Sequence, residues 1–500
     1  MSDNSRGLIK SMMIVGSAQI LNIAIGIVRM KMVAVLVGPT GVGLLGIYNS
    51  LQTTVGGVAG LGLGTSGVRD IAANKNDVNV QSRVRTVLLI AGLLQGAIAM
   101  VLVWLFREQL AQLLFSESSH ATETGLVGVA ILFSLILASQ TATLQGLRRI
   151  GDLGMVTVLG ALVGTIVGIV AVWLKAEAGL IWFLLVQPLA SVLVAAFVSR
   201  KLPRSKKSSL TTSEILTAWK PMAALGVVFM IGGLAGSSTL LVARSLIARD
   251  LGIDAAGLFS ASWGVAMVYV GFLLAAMGAD FYPRLAEVIY DRDATSRLIN
   301  DQAQLGLAIG GPILLGLIGI APWFMTVLYS REFVPAAEML QWQTLGNVFK
   351  LASWPMGFAY VAAARPRIFL MTEIFWNAAF IGLLWIGMPF FGVEAAGIAF
   401  FIAYTLYFTL LHILTRQLFD YRLEKLSLGL IGVHASLAAL VLALSQFSTL
   451  LAAGVSIVLL TVTAVGGLRI VLMKIGPYGR LSIRLYKTFA TLYWPIRRME

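Results

Sequence analysis

The sequence predicts an all-α polytopic membrane protein of about fourteen transmembrane helices, with two pseudo-symmetric six-helix lobes and an appended C-terminal pair. Three observations predict it. Of 500 residues 58% are hydrophobic and only 12% charged, with a mean hydropathy of +0.88. A soluble domain of this size could not bury that much apolar surface, whereas spans of about 20 residues hide it in lipid. Apolar runs of spanning length recur along the whole chain, and the cations collect at alternate ends of them.

The runs cover residues 9–37, 42–64, 84–106, 124–146, 154–174, 180–198, 219–247, 255–278, 303–327, 338–363, 369–390, 394–414, 428–446 and 450–473. Between the first two, Gly38-Pro39-Thr40-Gly41-Val42-Gly43 predicts a turn over Val37–Gly41, making spans one and two a tight antiparallel pair. With the N-terminus in the cytoplasm, 29 of the 37 Lys and Arg residues fall in inside segments. Four lie outside (Arg107, Lys175, Arg249, Arg331) and four lie within spans (Arg29, Lys31, Arg244, Lys350). The net charge of +14 is therefore a topology signal, and no nucleic-acid partner is expected. Both termini are expected in the cytoplasm. The longest outside loop, Arg107–Glu123, has room for at most a small cap.

Enzyme chemistry finds no foothold. The absence of Cys excludes disulfides, thiolate metal sites and cysteine nucleophiles. His120, His412 and His434 are too scattered for a metal site read from spacing. No Walker A loop is present. No catalytic residue, metal or cofactor is expected, so any work must draw on an ion gradient, the membrane potential or a substrate gradient.

An internal repeat sets the domain organisation. Gly38-Pro39-Thr40-Gly41-Val42-Gly43-Leu44-Leu45 aligns with Gly252-Ile253-Asp254-Ala255-Ala256-Gly257-Leu258-Phe259 at an offset of 214. Leu113-Leu114-Phe115-Ser116 aligns with Val327-Leu328-Tyr329-Ser330 at the same offset. A unit of six spans keeps both halves in the same orientation, which implies a pseudo-twofold axis along the membrane normal. The expected divisions are an N-lobe over 1–198, a cytoplasmic linker over 199–218, a C-lobe over 219–414, appended spans over 415–473 and a basic tail over 474–500. Within that tail, Tyr478–Arg498 mixes cations with aromatic and aliphatic residues as an interfacial helix does.

Charge inside a span requires a reason. Lys350 sits near the middle of span ten, about twelve residues or ~18 Å from either flank, too deep to snorkel easily. It either serves a substrate or closes a buried ion pair, with Glu373 of the next span as the partner. Gln343 and Asn347 share its helix face and make a polar stripe suited to a sugar or phosphate. Arg29 and Lys31 lie nearer the outer end of span one and, two residues apart, cannot share a face. Arg244 falls at matching depth in the second half, so Arg29, Lys31, Arg244 and Lys350 are the expected substrate-binding cations, converging from both halves on one anionic group. Asn49 and Gln52 offer neutral hydrogen-bonding groups in span two, or serve as helix–helix ties. Glu373, Asp280 and His434 are the candidates for ion coupling. Glycines four apart, including Gly56/Gly60 and Gly160/Gly164/Gly168, are expected at close helix contacts.

Two segments resemble the Wzx-type flippases, the polysaccharide-transporter branch of the MOP superfamily. One is Ile27-Val28-Arg29-Met30-Lys31 followed by the Gly-Pro-Thr-Gly turn and Gly57-Val58-Ala59-Gly60-Leu61-Gly62. The other is Leu340-Gln341-Trp342-Gln343-Thr344-Leu345-Gly346-Asn347-Val348-Phe349-Lys350, followed by Arg367–Glu373. Both are most similar to the O-antigen and enterobacterial common antigen flippases. The resemblance covers roughly residues 8–418. It implies two lobes around a cavity that opens to each side in turn, in the bacterial inner membrane. It also implies transport of an undecaprenyl-pyrophosphate-linked oligosaccharide, with membrane lipids, a polysaccharide polymerase and a chain-length regulator as further partners. Lys31 and Lys350 match cations of that family, while Arg29 and Arg244 do not. The rival readings are a drug/cation antiporter of the same superfamily, which predicts carboxylates lining a pocket, and an oligosaccharide polymerase or ligase, which predicts a large outside loop.

Overall fold

In a computed structural model, residues 3–74, 77–202, 211–476 and 480–491 are described, and they are almost wholly helical. The helices run α1 (Asp3–Gly60), α2 (Leu63–Ala73), α3 (Val78–Leu105), α4 (Arg107–Phe115), α5 (Ala121–Gly146), α6 (Ile150–Lys175), α7 (Ile181–Ser199) and α8 (Thr212–Leu251). They continue with α9 (Ile253–Val288), α10 (Arg292–Leu328), α11 (Ala336–Ala362), α12 (Pro366–Phe391), α13 (Ala395–Phe419), α14 (Lys425–Phe447), α15 (Thr449–Ile475) and α16 (Arg480–Thr491). Thirteen of the fourteen apolar runs lie, to within a residue, inside a single helix; the run 42–64 passes the end of α1 into α2, and among the described residues ten helical stretches are long and apolar enough to cross a membrane. Helix is the form in which a spanning segment satisfies its own backbone, so periodicity and length were enough to find them. The loop 107–123 holds one short helix, α4. Residues 203–210 of the linker and residues 492–500 of the tail lie outside the described residues. The described part of the tail, α16, sets Arg480, Arg484 and Lys487 at helical spacing. It buries Phe489, and the Tyr486 hydroxyl donates to the Leu472 carbonyl at 2.6 Å.

The turn between spans one and two is tighter than Val37–Gly41. Only Gly38 leaves helical geometry, at φ 67° and ψ −159°, a conformation open essentially to glycine alone. Pro39 then opens the next helix, where its missing N–H leaves no bond unmade. Without this break the apolar stretch Gly16–Gly60, 45 residues long, would run far beyond a hydrocarbon layer of about 30 Å.

The repeat is written into the backbone. Gly252, the partner of Gly38 at the 214-residue offset, has φ 95° and ψ 161°, the same region of conformation. Residues equivalent by the repeat also meet each other. Thr40 donates a hydrogen bond to the Asp254 carboxylate. A Cβ on Gly43 would stand 2.9 Å from the Gly257 nitrogen and 2.4 Å from the Ile253 carbonyl, and one on Gly257 would stand 1.9 Å from the Pro39 carbonyl. A Cβ on Gly46 would stand 2.5 Å from Ser260 Oγ. Contact between equivalents at 40/254, 43/257 and 46/260, each three residues on, is what a local twofold axis between two parallel helices produces.

Two compact units emerge: residues 1–260 with 328–330, and residues 261–327 with 331–500. The division falls inside α9 rather than at 199–218. In the first unit α8 packs on α1 and α2, where a Cβ on Gly62 would stand 2.0 Å from the Gly226 carbonyl. Also in the first unit, Gly160, Gly164 and Gly168 of α6 receive Ser191, Gln187 and Phe183 of α7 in antiparallel order. In the second unit α14 and α15 pack together. Gly311 of α10 accommodates the His434 ring of α14, and Gly319 accommodates Ser456 of α15.

The reciprocal seam makes a sharp prediction. Gly257→Val puts a branched side chain against the Pro39 carbonyl and should cost at least about 3 kcal/mol. Gly454→Ala, on an exposed turn of α15 with nothing within 4 Å, should stay within about 1 kcal/mol of the parent. Thermal unfolding of the purified variants, followed by tryptophan fluorescence, checks both.

Candidate functional site: the intramembrane cations

In the first unit the two cations of α1 diverge, as their spacing requires. Arg29 donates through Nη1 to the Gln187 side-chain oxygen of α7, and its buried Nε has no partner. Lys31 Nζ donates to the Tyr329 carbonyl at 2.6 Å, at the short segment 328–330 that follows α10. Arg244 of α8 is held by three neutral oxygens: Ser260 Oγ at 3.1 Å, the Gly46 carbonyl at 3.2 Å and Ser50 Oγ. It thereby ties α8 to α1 and α9 beside the seam. The glycine at 46 admits it, since a Cβ there would stand 3.4 Å from Arg244 Nε as well as against Ser260. The repeat pairs Arg244 with Met30, so the matching of cations between halves is approximate.

The neutral groups of span two are engaged locally. Asn49 Nδ2 bonds the Leu45 carbonyl of its own helix at 2.8 Å, and Gln52 Nε2 bonds Ser134 Oγ of α5 at 2.7 Å. One turn further along lies a feature that sequence reasoning missed. A cavity of about 350 Å³ is lined by Gly56, Gly60 and Gly64, with Thr53, Gln95 and Ser237 among its polar groups and no charged side chain. The Gln95 amide nitrogen is buried without a partner. Gly64 and Gly233 have nothing within 4 Å of where a Cβ would stand, so here absent side chains leave open space. The Gly56/Gly60 spacing was the available signal, and it reads equally well as helix packing.

In the second unit Lys350 of α11 is half-buried. Its ammonium lies 3.1 Å from Met267 Sδ and 5.4 Å from the centroid of the Tyr404 ring. Such a cation–π contact gains strength when desolvated. Glu373 acts on it electrostatically, but the carboxylate accepts from the Tyr407 hydroxyl at 2.7 Å and closes no ion pair with Lys350. Trp376, Phe380 and Phe400 continue the aromatic wall, with ring centroids 4.9 Å apart for Trp376 and Tyr404 and 5.5 Å for Trp376 and Phe380. Gln343, Asn347 and Lys350 follow one another at helical spacing on α11. Asn347 Nδ2 donates to the Ala266 carbonyl of α9 at 3.2 Å, on the side where Lys350 meets Met267. Asn347 Oδ1 and both amide atoms of Gln343 are fully buried without partners. Such atoms carry a desolvation cost and retain unused bonding capacity.

The other coupling candidates stand apart from Lys350. Asp280 is exposed and pairs with Arg284 at 3.1 Å. His434 is buried in α14, where its Nδ1–H donates to the Leu430 carbonyl at 2.8 Å. Among the described residues no cluster of three His, Asp or Glu is arranged to hold a metal.

Comparison with known proteins follows the same lines. The family model described as "Polysaccharide biosynthesis protein" matches residues 32–338. The chain is 25% identical over 416 residues to a Lipid III flippase of Escherichia coli (strain K12), covering 81% of this chain and 97% of that protein. The same figures hold for the Lipid III flippase of Shigella flexneri. Its fold is that of the lipid II flippase MurJ in an inward closed conformation (TM-score 0.63, 15% identity, 90% of this chain and 98% of that one). It is equally that of an inward-facing multidrug resistance MATE family transporter of the MOP superfamily (TM-score 0.62, 15% identity, 80% and 98%).

The Arg244 geometry distinguishes arginine from lysine. A lysine cannot present a fork to three oxygens on two other helices. Arg244→Lys should therefore destabilise nearly as much as Arg244→Ala, by about 2 kcal/mol or more for each. Unfolding midpoints of the two purified variants decide this, and a lysine variant as stable as the parent would disprove the fork.

Proposed function

We propose that this chain, which belongs to the polysaccharide biosynthesis protein family, is a flippase for lipid-linked oligosaccharide. In this reading it moves an undecaprenyl-pyrophosphate-linked oligosaccharide from the cytoplasmic to the periplasmic leaflet of the bacterial inner membrane, for assembly of surface polysaccharide. Both termini lie in the cytoplasm, as the loop charges require. The transporter folds of its structural neighbours support transport rather than catalysis.

The observation that carries this reading is Lys350: a cation within a membrane helix, beside unused amide groups and held by a thioether and an aromatic face rather than by an ion pair. A diphosphate cannot enter hydrocarbon bare. Lys350 supplies countercharge for it in the second unit, and Lys31 of the first unit is the other lysine that matches a cation of the Wzx-type flippases. Gln343 and Asn347 offer donors and acceptors to phosphate or sugar oxygens once α11 admits them. The uncharged, glycine-lined cavity of the first unit suits sugar rings, with Gln95, Thr53 and Ser237 facing their hydroxyls. The prenyl chain stays in lipid. Arg29 and Arg244, each held by neutral partners, act as structural cations rather than as contacts to the substrate.

The test is complementation of cells lacking their native flippase. Lys350→Ala should lower surface glycan at least about tenfold, as expected for loss of a desolvated charge partner, and Lys350→Arg should retain more activity than Lys350→Ala. Lys31→Ala should be impaired as well. Immunoblots of surface glycan, normalised to protein in the membrane, provide the readout. Normal glycan at normal protein level would remove either residue from the mechanism.

A further inference from the structure

A second cavity of about 220 Å³ lies in the first unit, at the end of the bundle where α3 begins and α7 ends. Arg85 of α3 and Arg200 at the end of α7 line it, with Gln140 and Thr143 of α5 behind them. No carboxylate is among its lining residues. Arg85 Nη2 also donates to the Ser199 carbonyl at 3.2 Å. That bond engages a carbonyl at the helix C-terminus that would otherwise repel an anion. Gln140 is only 9% exposed, and its buried Oε1 has no partner, so an acceptor for a hydroxyl stands behind two guanidinium groups. On α7, Phe197 and Leu193, about one and two turns before Arg200 on the same helix face, are 60% and 62% exposed, as expected of side chains that face lipid. The charge distribution of the loops puts this end at the cytoplasmic surface.

We propose that this cavity binds the headgroup of an anionic glycerophospholipid from the cytoplasmic leaflet. Arg85 and Arg200 take the phosphate, the headgroup hydroxyl donates to Gln140 Oε1, and an acyl chain lies along Phe197 and Leu193. Guanidinium groups suit phosphate because their planar donors match its oxygens. The exposed apolar side chains on the α7 face of Arg200 are what favour a lipid over a free anion. Basic pockets between membrane helices at this depth take such headgroups. The site is separate from Lys350 and from the glycine-lined cavity, and it stands whether or not the transport reading does.

The test is native mass spectrometry of the full chain in detergent, titrated separately with dioleoylphosphatidylglycerol, dioleoylphosphatidylcholine and inorganic phosphate. Phosphatidylglycerol should be retained as one tightly held copy, and phosphatidylcholine should not. Arg85→Ala and Arg200→Ala should each weaken retention about fivefold. Arg200 is exposed and its described bonds are made by its backbone N–H alone, so Arg200→Ala tests the site without disturbing the fold even if Arg85→Ala, which loses the Ser199 contact, is unstable. Inorganic phosphate at millimolar concentration should not displace the lipid. Equal retention of phosphatidylcholine, or unchanged retention by the Arg200 variant, would overturn the proposal. Full displacement by inorganic phosphate would assign the cavity to a free anion instead.

Discussion

Hydrocarbon offers no hydrogen bonds, so every polar group that this chain carries into the membrane must be answered from within the chain. Arg244 is the clearest case. Its guanidinium meets two serine hydroxyls and one backbone carbonyl, contributed by α1 and α9. Arg29 meets an amide oxygen. Neither is neutralised, because none of these partners carries charge. Full ion pairing would have removed the positive potential from the interior. Neutral solvation of the guanidinium keeps it, at the cost of desolvating an arginine.

Glycine serves two opposite ends in the same helices. At Gly43, Gly257 and Gly62 a Cβ would strike backbone, so absent side chains bring helices together. At Gly64 and Gly233 a Cβ would meet nothing, and the absent side chains hold space open. The first use makes the seam along the local twofold, where the repeat equivalents touch. The second leaves an uncharged cavity one helix turn beyond Gln52. Four-residue spacing serves both ends: Gly160, Gly164 and Gly168 receive side chains of α7, whereas Gly56, Gly60 and Gly64 line the cavity, so the spacing of Gly56/Gly60 alone does not separate the two.

Lys350 differs from the cations of the first unit. A thioether and an aromatic face are weak partners for an ammonium group, and the nearby carboxylate of Glu373 is engaged by Tyr407. The same face of α11 carries Asn347, with an acceptor to spare, and Gln343, with an entire amide to spare. Unsatisfied polarity of this kind is normally removed from membrane helices. Its concentration on one stripe beside one cation sets that stripe apart from the rest of the second unit.

Hydropathy, charge and repetition are local properties of a chain, and they determined what can be determined locally. The fourteen apolar runs became helices because a spanning segment must satisfy its backbone within itself. The 214-residue offset reappeared as matched glycine conformations at 38 and 252 because glycine alone accepts that geometry. The divergence of Arg29 and Lys31 followed from their spacing by two. What a side chain touches depends on helices far away in sequence, and this only the tertiary structure decided. It tied Asn49 and Gln52 to a carbonyl and a serine, set Asp280 at the surface with Arg284, and packed His434 against Gly311. It also built both cavities from residues on several helices, a juxtaposition that no single stretch of sequence encodes.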